Sequence, residues 1–328
     1  MIESAKVTAA STPMGVVGLG LMGSSIVAAL LIAGHPVQAI VPIPSDFDEA
    51  RHRVARQLRL CEQAGLIDSV ADFDERLQIT EDYQTLAGCQ VVIECVIEKL
   101  EVKKEVYQKI TSVVTSDCII GTNTSAIPIS ELQQYIMGPE RFVGIHFAEP
   151  AYMTRFLEIT CGRLTTDHYA QRIFSLAQGM GKEPTLLKKD IRGFITNRLM
   201  YAVYREIFHQ LETGHATRED LDKAFRYDAG SWMTLMGIFR RMDYLGIEDF
   251  GKILPEVFSK LSNTHSVPQE MKEMVEKNAR GIHNETGLYP YQKGEGKQWD
   301  LSFSQFNLEI HRLAAEFSEV KIKEQLSQ

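Results

Sequence analysis

Between residues 14 and 190 the chain alternates short apolar runs with longer stretches of helical periodicity. The runs at 14–18, 37–41, 91–96, 118–122 and 142–147 are too short for core helices. They are also too uniformly apolar for strands with one wet face, so they read as strands buried on both sides. Between them lie three predicted helices. Residues 24–33 are Ala-rich and apolar, 46–65 are amphipathic and stop at a glycine, and 99–114 are charged. This alternation predicts an α/β fold with a Rossmann-type, doubly wound, mainly parallel sheet.

Near residue 190 the rhythm changes, and from 193 onward the apolar positions recur at three and four, as in helices. Helices are predicted at 194–211, 248–261, 268–278 and 302–323, and another follows a Thr217-Arg218-Glu219-Asp220 cap. Residues 287–299, rich in Gly, Pro, Tyr and Lys, read as a loop. Two domains follow: a dinucleotide-binding Rossmann domain over 1–190 and an all-helical domain over 191–328.

Composition narrows the class. The chain has 328 residues, 44% hydrophobic and 24% charged, enough for two cores. No run approaches eighteen apolar residues, so no membrane span is expected. Residues 1–13, with Glu3 and Lys6, read as a polar lead-in and not a signal peptide. A net charge of −8 without a basic tract argues against nucleic acid as a partner. Cys61, Cys89, Cys95, Cys118 and Cys161 are odd in number, scattered and free of C-x-x-C pairs. They predict reduced, mostly buried thiols in a cytoplasmic protein and no zinc site.

Candidate chemistry sits where apolar runs close on a polar residue. Gly18-x-Gly20-x-x-Gly23 follows one strand and opens a helix, the context that a dinucleotide turn needs. Gly18 permits the turn, Gly20 lets a pyrophosphate approach, and Gly23 lets helix and strand pack. An acidic residue usually closes the next strand, about twenty residues on, to meet the ribose hydroxyls. Val41 stands there instead, followed by Pro42-Ile43-Pro44. Ser45, Asp46 or Asp48 are alternative acceptors for NAD, while Arg51 or Arg53 would suit the phosphate of NADP. Downstream, His146 and Glu158 each end or interrupt a strand-like run, as a base and its orienting partner do. Each candidate also has a plain structural alternative: a satisfied polar residue for His146, a side-chain turn for Asn123 and Ser125, a helix cap for Asn197, a solvated helix position for Lys103.

The motifs Gly18-Leu19-Gly20-Leu21-Met22-Gly23, Glu94-Cys95-Val96-Ile97-Glu98 with Val102-Lys103, Asn123-Thr124-Ser125, Arg141-Phe142-Val143-Gly144-Ile145-His146-Phe147, Leu157-Glu158-Ile159 and Gly193-Phe194-Ile195-Thr196-Asn197-Arg198-Leu199 occur in order. Together they resemble the 3-hydroxyacyl-CoA dehydrogenase family from residue 14 to about 291. The resemblance implies an NAD(P)-dependent enzyme that interconverts a 3-hydroxy and a 3-oxo group of a small molecule, with an L-3-hydroxyacyl-CoA as the leading substrate and a free 3-hydroxy acid as the alternative. It implies His146 as general base, Glu158 as its partner, and Ser125 and Asn197 as contacts of the substrate oxygen. Gly18, Gly20, Leu21, Met22, Gly23, Glu98, Lys103 and Asn123 would meet the cofactor, and the helical domain would carry substrate closure and a homodimer. The pattern departs on the substrate side. Phe147 is followed by Ala148-Glu149-Pro150 where the family reads Phe-Asn-Pro, and Gly237-Ile238-Phe239-Arg240 replaces Gly-Pro-Phe-Glu. Pro150-Ala151-Tyr152 and a segment over 229–236 about two residues longer than in the fatty-acid enzymes resemble the carnitine- and gulonate-dehydrogenase branch, which acts on free acids, and Glu149 is a candidate to select a cationic substrate. Arg155 and Arg240 are candidate carboxylate ligands or surface ion pairs. A non-catalytic dinucleotide-binding protein on the same fold is a third reading, motivated by Val41.

Overall fold

The computed structural model describes residues 11–317. Residues 1–10 of the expected lead-in and 318–323 of the last expected helix lie outside them. The chain divides into two compact units, 11–197 and 198–317 among the described residues.

The first unit runs β1 (Met14–Val17), α1 (Leu21–Ile32), β2 (Val37–Ile40), α2 (Phe47–Gln63), β3 (Leu77–Thr80), β4 (Val91–Glu94), α3 (Leu100–Thr111), β5 (Ile119–Thr122), α4 (Ile129–Leu132), β6 (Phe142–Phe147), β7 (Phe156–Cys161), α5 (Asp167–Gly179) and β8 (Glu183–Leu187). These strands form one sheet in the order β3-β2-β1-β4-β5-β6-β7-β8. The first six are parallel, β7 runs antiparallel to β6, and β8 is parallel to β7. The sheet is therefore doubly wound, with a reversed pair at one edge. The order reverses between β1 and β4, which puts a crevice at their carboxyl ends, where such sheets bind ligands.

Burial explains the uniform apolar runs. Every residue of β1, β4 and β5 is buried, because helices cover both faces. Val16 belongs to a core with Ile26 and Leu30 of α1, Val54 of α2 and Ile173 of α5. Its neighbour Val17 belongs to the other core, with Val106, Tyr107 and Ile110 of α3 and Ile129 of α4. Helix α2 ends in a glycine cap: Gly65 has φ +69°, and the Leu66 amide reaches back to the Cys61 carbonyl at 2.9 Å.

The second unit is helical: α6 (Thr196–Glu212, whose first two residues belong to the first unit), α7 (Arg218–Ala224), α8 (Gly230–Met233), α9 (Ile238–Leu245), α10 (Ile247–Phe258), α11 (Gln269–Glu276) and α12 (Glu295–Glu316). The Thr217 cap is present, its hydroxyl accepting the Asp220 amide at 3.2 Å. The loop expected over 287–299 is overturned in its last third. Helix α12 begins at Glu295, after Gly294 turns the chain with φ +85°. No helix among the described residues is long and apolar enough to cross a membrane.

Candidate active site

The glycine loop meets the geometric demands of a pyrophosphate cradle. Gly18 has φ +96°, and a Cβ there would lie 2.9 Å from the Cys95 carbonyl oxygen. A Cβ on Gly23 would lie 1.8 Å from the Gly18 carbonyl oxygen, so only glycine lets α1 start this close to β1. Around Gly20 a Cβ would meet nothing within 4 Å, which leaves space for a ligand against the backbone. Gly20 caps α1 without a side-chain bond, and the first turn carries no acidic residue. The amides at this helix end are thus available to an anion. The residues fit a dinucleotide's diphosphate.

A cleft of about 610 Å³ opens at these carboxyl ends. Gly20, Leu21 and Met22 line one side; Glu98, Asn123, Ser125, His146 and Asn197 line the rest. Gly18, Gly23, Lys103 and Glu158 are buried and do not line it.

His146 and Glu158 face each other across β6 and β7, as register partners. His146 Nδ1 lies 3.0 Å from Glu158 Oε2. A carboxylate only accepts, so Nδ1 carries the proton and Nε2 keeps its lone pair in the neutral ring. Glu158 is fully buried. Its other oxygen accepts the Ile195 amide at 2.6 Å and the Thr196 amide at 3.4 Å. Those amides are delivered by an unusual turn: Gly193 and Phe194 both have positive φ, +82° and +49°. A phenylalanine in that region is strained, by about 1–3 kcal/mol. Its ring is buried and stacks at a tilt on His146, centroids 5.7 Å apart.

Asn123 accepts the Phe147 amide on its side-chain oxygen at 2.9 Å, tying the end of β5 to the end of β6. Asn197 donates from its amide nitrogen to the Ser125 carbonyl at 3.3 Å. Both residues expected at the substrate oxygen are thus neighbours on the cleft wall.

Lys103 is buried and does not reach the cleft. Its ammonium bonds both Glu94 oxygens at 2.9 and 3.0 Å and Glu98 at 3.1 Å. Burial acts to lower its pKa, but the two carboxylates outweigh that and hold it above the usual lysine value. Glu94 also accepts from Tyr107, Thr122 and the Val96 amide. Burial, then Glu94, pushes the Tyr107 hydroxyl well up. Glu98, which does line the cleft, is gripped by Lys103 and by the Thr124 hydroxyl. The network sets the loop after β4, and sequence reasoning had assigned Glu94 no role. The only signal for it is a carboxylate closing an otherwise apolar strand.

Lys182 was missed altogether. It is buried and donates to the carbonyls of Ala151 and Thr154, the latter at 2.7 Å. Burial, with Arg155 nearby, lowers its pKa to about 8. The Ala151 amide donates to Ser25 of α1 at 2.8 Å. The segment after His146 is therefore fastened to α1 and to the chain before β8. Arg155 pairs with Glu183. Among the described residues, no three His, Cys, Asp or Glu side chains gather as a metal site.

Comparison with known proteins supplies the family. Residues 13–191 match the model of the 3-hydroxyacyl-CoA dehydrogenase NAD binding domain, and 193–291 match that of its C-terminal domain. The 5-formyl-3-hydroxy-2-methylpyridine 4-carboxylate 5-dehydrogenase of Mesorhizobium japonicum is 29% identical over 85% of this chain and 90% of its own. A crystal structure of an enzyme of that description, an NAD+-dependent dismutase, superposes with a TM-score of 0.86 at 27% identity, covering 93% of this chain and 99% of that one. The L-carnitine dehydrogenase of Oceanobacillus iheyensis is 30% identical over 80% of this chain and 87% of its own. A (S)-3-hydroxybutyryl-CoA dehydrogenase structure from Ralstonia eutropha gives a TM-score of 0.70 at 25% identity, over 86% of this chain and all of that one. The two family models together span most of the sequence, in the order and over the sheet and helices described above. The chain belongs to the 3-hydroxyacyl-CoA dehydrogenase family and is an oxidoreductase with that family's NAD binding domain.

Proposed function

We propose that the protein interconverts a 3-hydroxy and a 3-oxo group on a small molecule, with His146 as general base. The observation that carries this is the buried Glu158 carboxylate on Nδ1 of a histidine that lines the same cleft as Gly20 and Asn123. When bound, the nicotinamide supplies the hydride acceptor. His146 Nε2 takes the hydroxyl proton, and in the reverse direction returns it to the substrate oxygen. Glu158 keeps the ring in the tautomer that leaves Nε2 free and stabilises the imidazolium. Ser125 and Asn197 hydrogen-bond the substrate oxygen as negative charge develops. Gly18, Gly20, Leu21, Met22 and Gly23 form the turn that would hold the dinucleotide, with Glu98 near the cofactor and Asn123 beside its nicotinamide. Lys103 acts by positioning Glu98. The division of labour is a dinucleotide domain over 1–190 and a helical substrate and dimerisation domain over 191–328, in a cytoplasmic homodimer.

The test of the base is His146→Gln. Turnover should fall by about two to four decades, with NADH affinity nearly unchanged. Unaltered turnover would remove His146 from the mechanism.

Two substrate classes fit this chemistry, an L-3-hydroxyacyl-CoA and a free 3-hydroxy acid. The family's description favours the thioester. The free acid is favoured by Pro150-Ala151-Tyr152, which resemble the free-acid branch, and Glu149 in the cleft wall suits such an acid when it also carries a cation. It is also favoured by the higher TM-score of the pyridine-carboxylate enzyme, 0.86 against 0.70. We take the free acid as the better reading. Rates with acetoacetyl-CoA and with a panel of free 3-oxo acids decide it, and efficient thioester turnover alone would reverse the choice.

A further inference from the structure

In a sheet of this kind the adenosine ribose of a dinucleotide is met at the end of the second strand. Here that residue is Val41, buried and without an acceptor. The structure shows what lies next to it. The chain turns through Pro44–Asp46 into α2, and Asp46 occupies the cap position of that helix without capping it. Its carboxylate is turned to Arg53 and ion-paired with it. Arg53 Nε in turn donates to the Leu19 carbonyl, inside the glycine loop, at 2.7 Å. The remaining guanidinium nitrogen lies 3.8 Å from Glu49. Arg51 is turned elsewhere, its guanidinium 6.0 Å from the Phe47 ring centre.

Arg53 thus ties the start of α2 to the glycine loop through Nε and one terminal nitrogen, while the other stands beyond hydrogen-bond reach of Glu49. The pair is not sealed off: Arg53 is 26% exposed and Asp46 40%. Two carboxylates surround one guanidinium, which leaves the patch with a net negative charge.

We propose that Asp46, held beside the glycine loop by Arg53, accepts the adenosine ribose hydroxyls in place of the strand-end carboxylate, and that this pair selects NAD over NADP. The inference rests on the dinucleotide reading above and adds the origin of its selectivity. A ribose hydroxyl donates to a carboxylate. A 2′-phosphate carries about two negative charges at neutral pH and would face the Asp46 and Glu49 carboxylates, with the Arg53 fork already committed to Asp46 and the Leu19 carbonyl.

The test is fluorescence titration of the full chain with NADH and with NADPH, without substrate. Wild type should bind NADH at least about tenfold more tightly. Asp46→Asn should weaken NADH by roughly ten- to a hundredfold, the span of a charge-assisted hydrogen bond, and should narrow the gap to NADPH. Arg53→Gln should also weaken NADH, because it frees Asp46 from the loop. Wild type that binds NADPH as tightly as NADH, or more tightly, overturns the proposal; so does an NADH-to-NADPH ratio that Asp46→Asn leaves unmoved. The wild-type comparison stands even if a variant fails to fold. If neither dinucleotide binds, the dinucleotide reading falls as well. Equal binding of both defeats only the assignment of Asp46 and Arg53.

Discussion

At the residue scale, the site depends on charges and amides placed by segments distant in the chain. Lys182 illustrates the energetics. Its folded pKa, about 8, lies below the ordinary value of 10.5. Between those values the unfolded chain binds more protons than the folded one, so the lysine's contribution to stability rises with pH across that window. Below about pH 8 the buried charge carries its full desolvation cost. The melting temperature of wild type relative to Lys182→Met should therefore increase from pH 7 to pH 10. A difference that stays level across that range would show that Lys182 does not titrate as its surroundings dictate. At this scale His146 and Glu158 were legible, because each interrupts an apolar run that needs no polar residue. Lys182 was not: it sits in an ordinary Gly-Lys-Glu turn, and its partners are carbonyls about thirty residues upstream.

At the element scale, the apolar runs read correctly as strands because burial on both faces leaves no alternation to misread. Several elements escaped, α5, β8 and α9 among them, and three features show why. Strand β3 is only partly buried and carries Gln78 and Thr80, so it lacked the apolar signature. The reversal of β7 is set by a connection too short for a crossover helix, a fact about distance in the fold and not about composition. Helix α12 starts inside a stretch whose glycines and lysines suggest a loop, since Gly294 alone supplies the turn into it. The glycine loop was the clearest element, and it yields a sharp expectation. In Gly23→Ala the new methyl collides with the Gly18 carbonyl, and that atom is backbone. Helix α1 must move away from the loop, at about 1–3 kcal/mol. Urea denaturation should show that loss together with at least tenfold weaker NADH binding. Full retention of both would mean that α1 has slack the packing does not suggest.

At the scale of the whole molecule the two units differ in kind. The first buries two extensive cores. Over 198–317 the one buried residue is Leu221. Large apolar side chains there stay open instead: Phe239 is 83% exposed, and Leu199, Tyr201, Phe258 and Phe306 exceed 60%. A helical unit with so little interior needs further apolar surface to cover it. The proposed homodimer would supply that surface. Sedimentation equilibrium should return about twice the 37.0 kDa of the chain, and Phe239→Glu with Phe258→Glu should shift the protein toward monomer. A monomer at micromolar concentration would sink the dimer.

Periodicity and burial need only local neighbours, so strand, helix and the glycine-rich dinucleotide turn could be read along the chain. So could the family, because its motifs are short and contiguous. Which nitrogen of His146 is free, why Lys103 is buried and does not line the cleft, and how Arg53 meets the Leu19 carbonyl depend on groups separated by 12, 9 and 34 positions. Hydrogen bonds and ion pairs act over a few ångströms, and only folding brings such positions within that range.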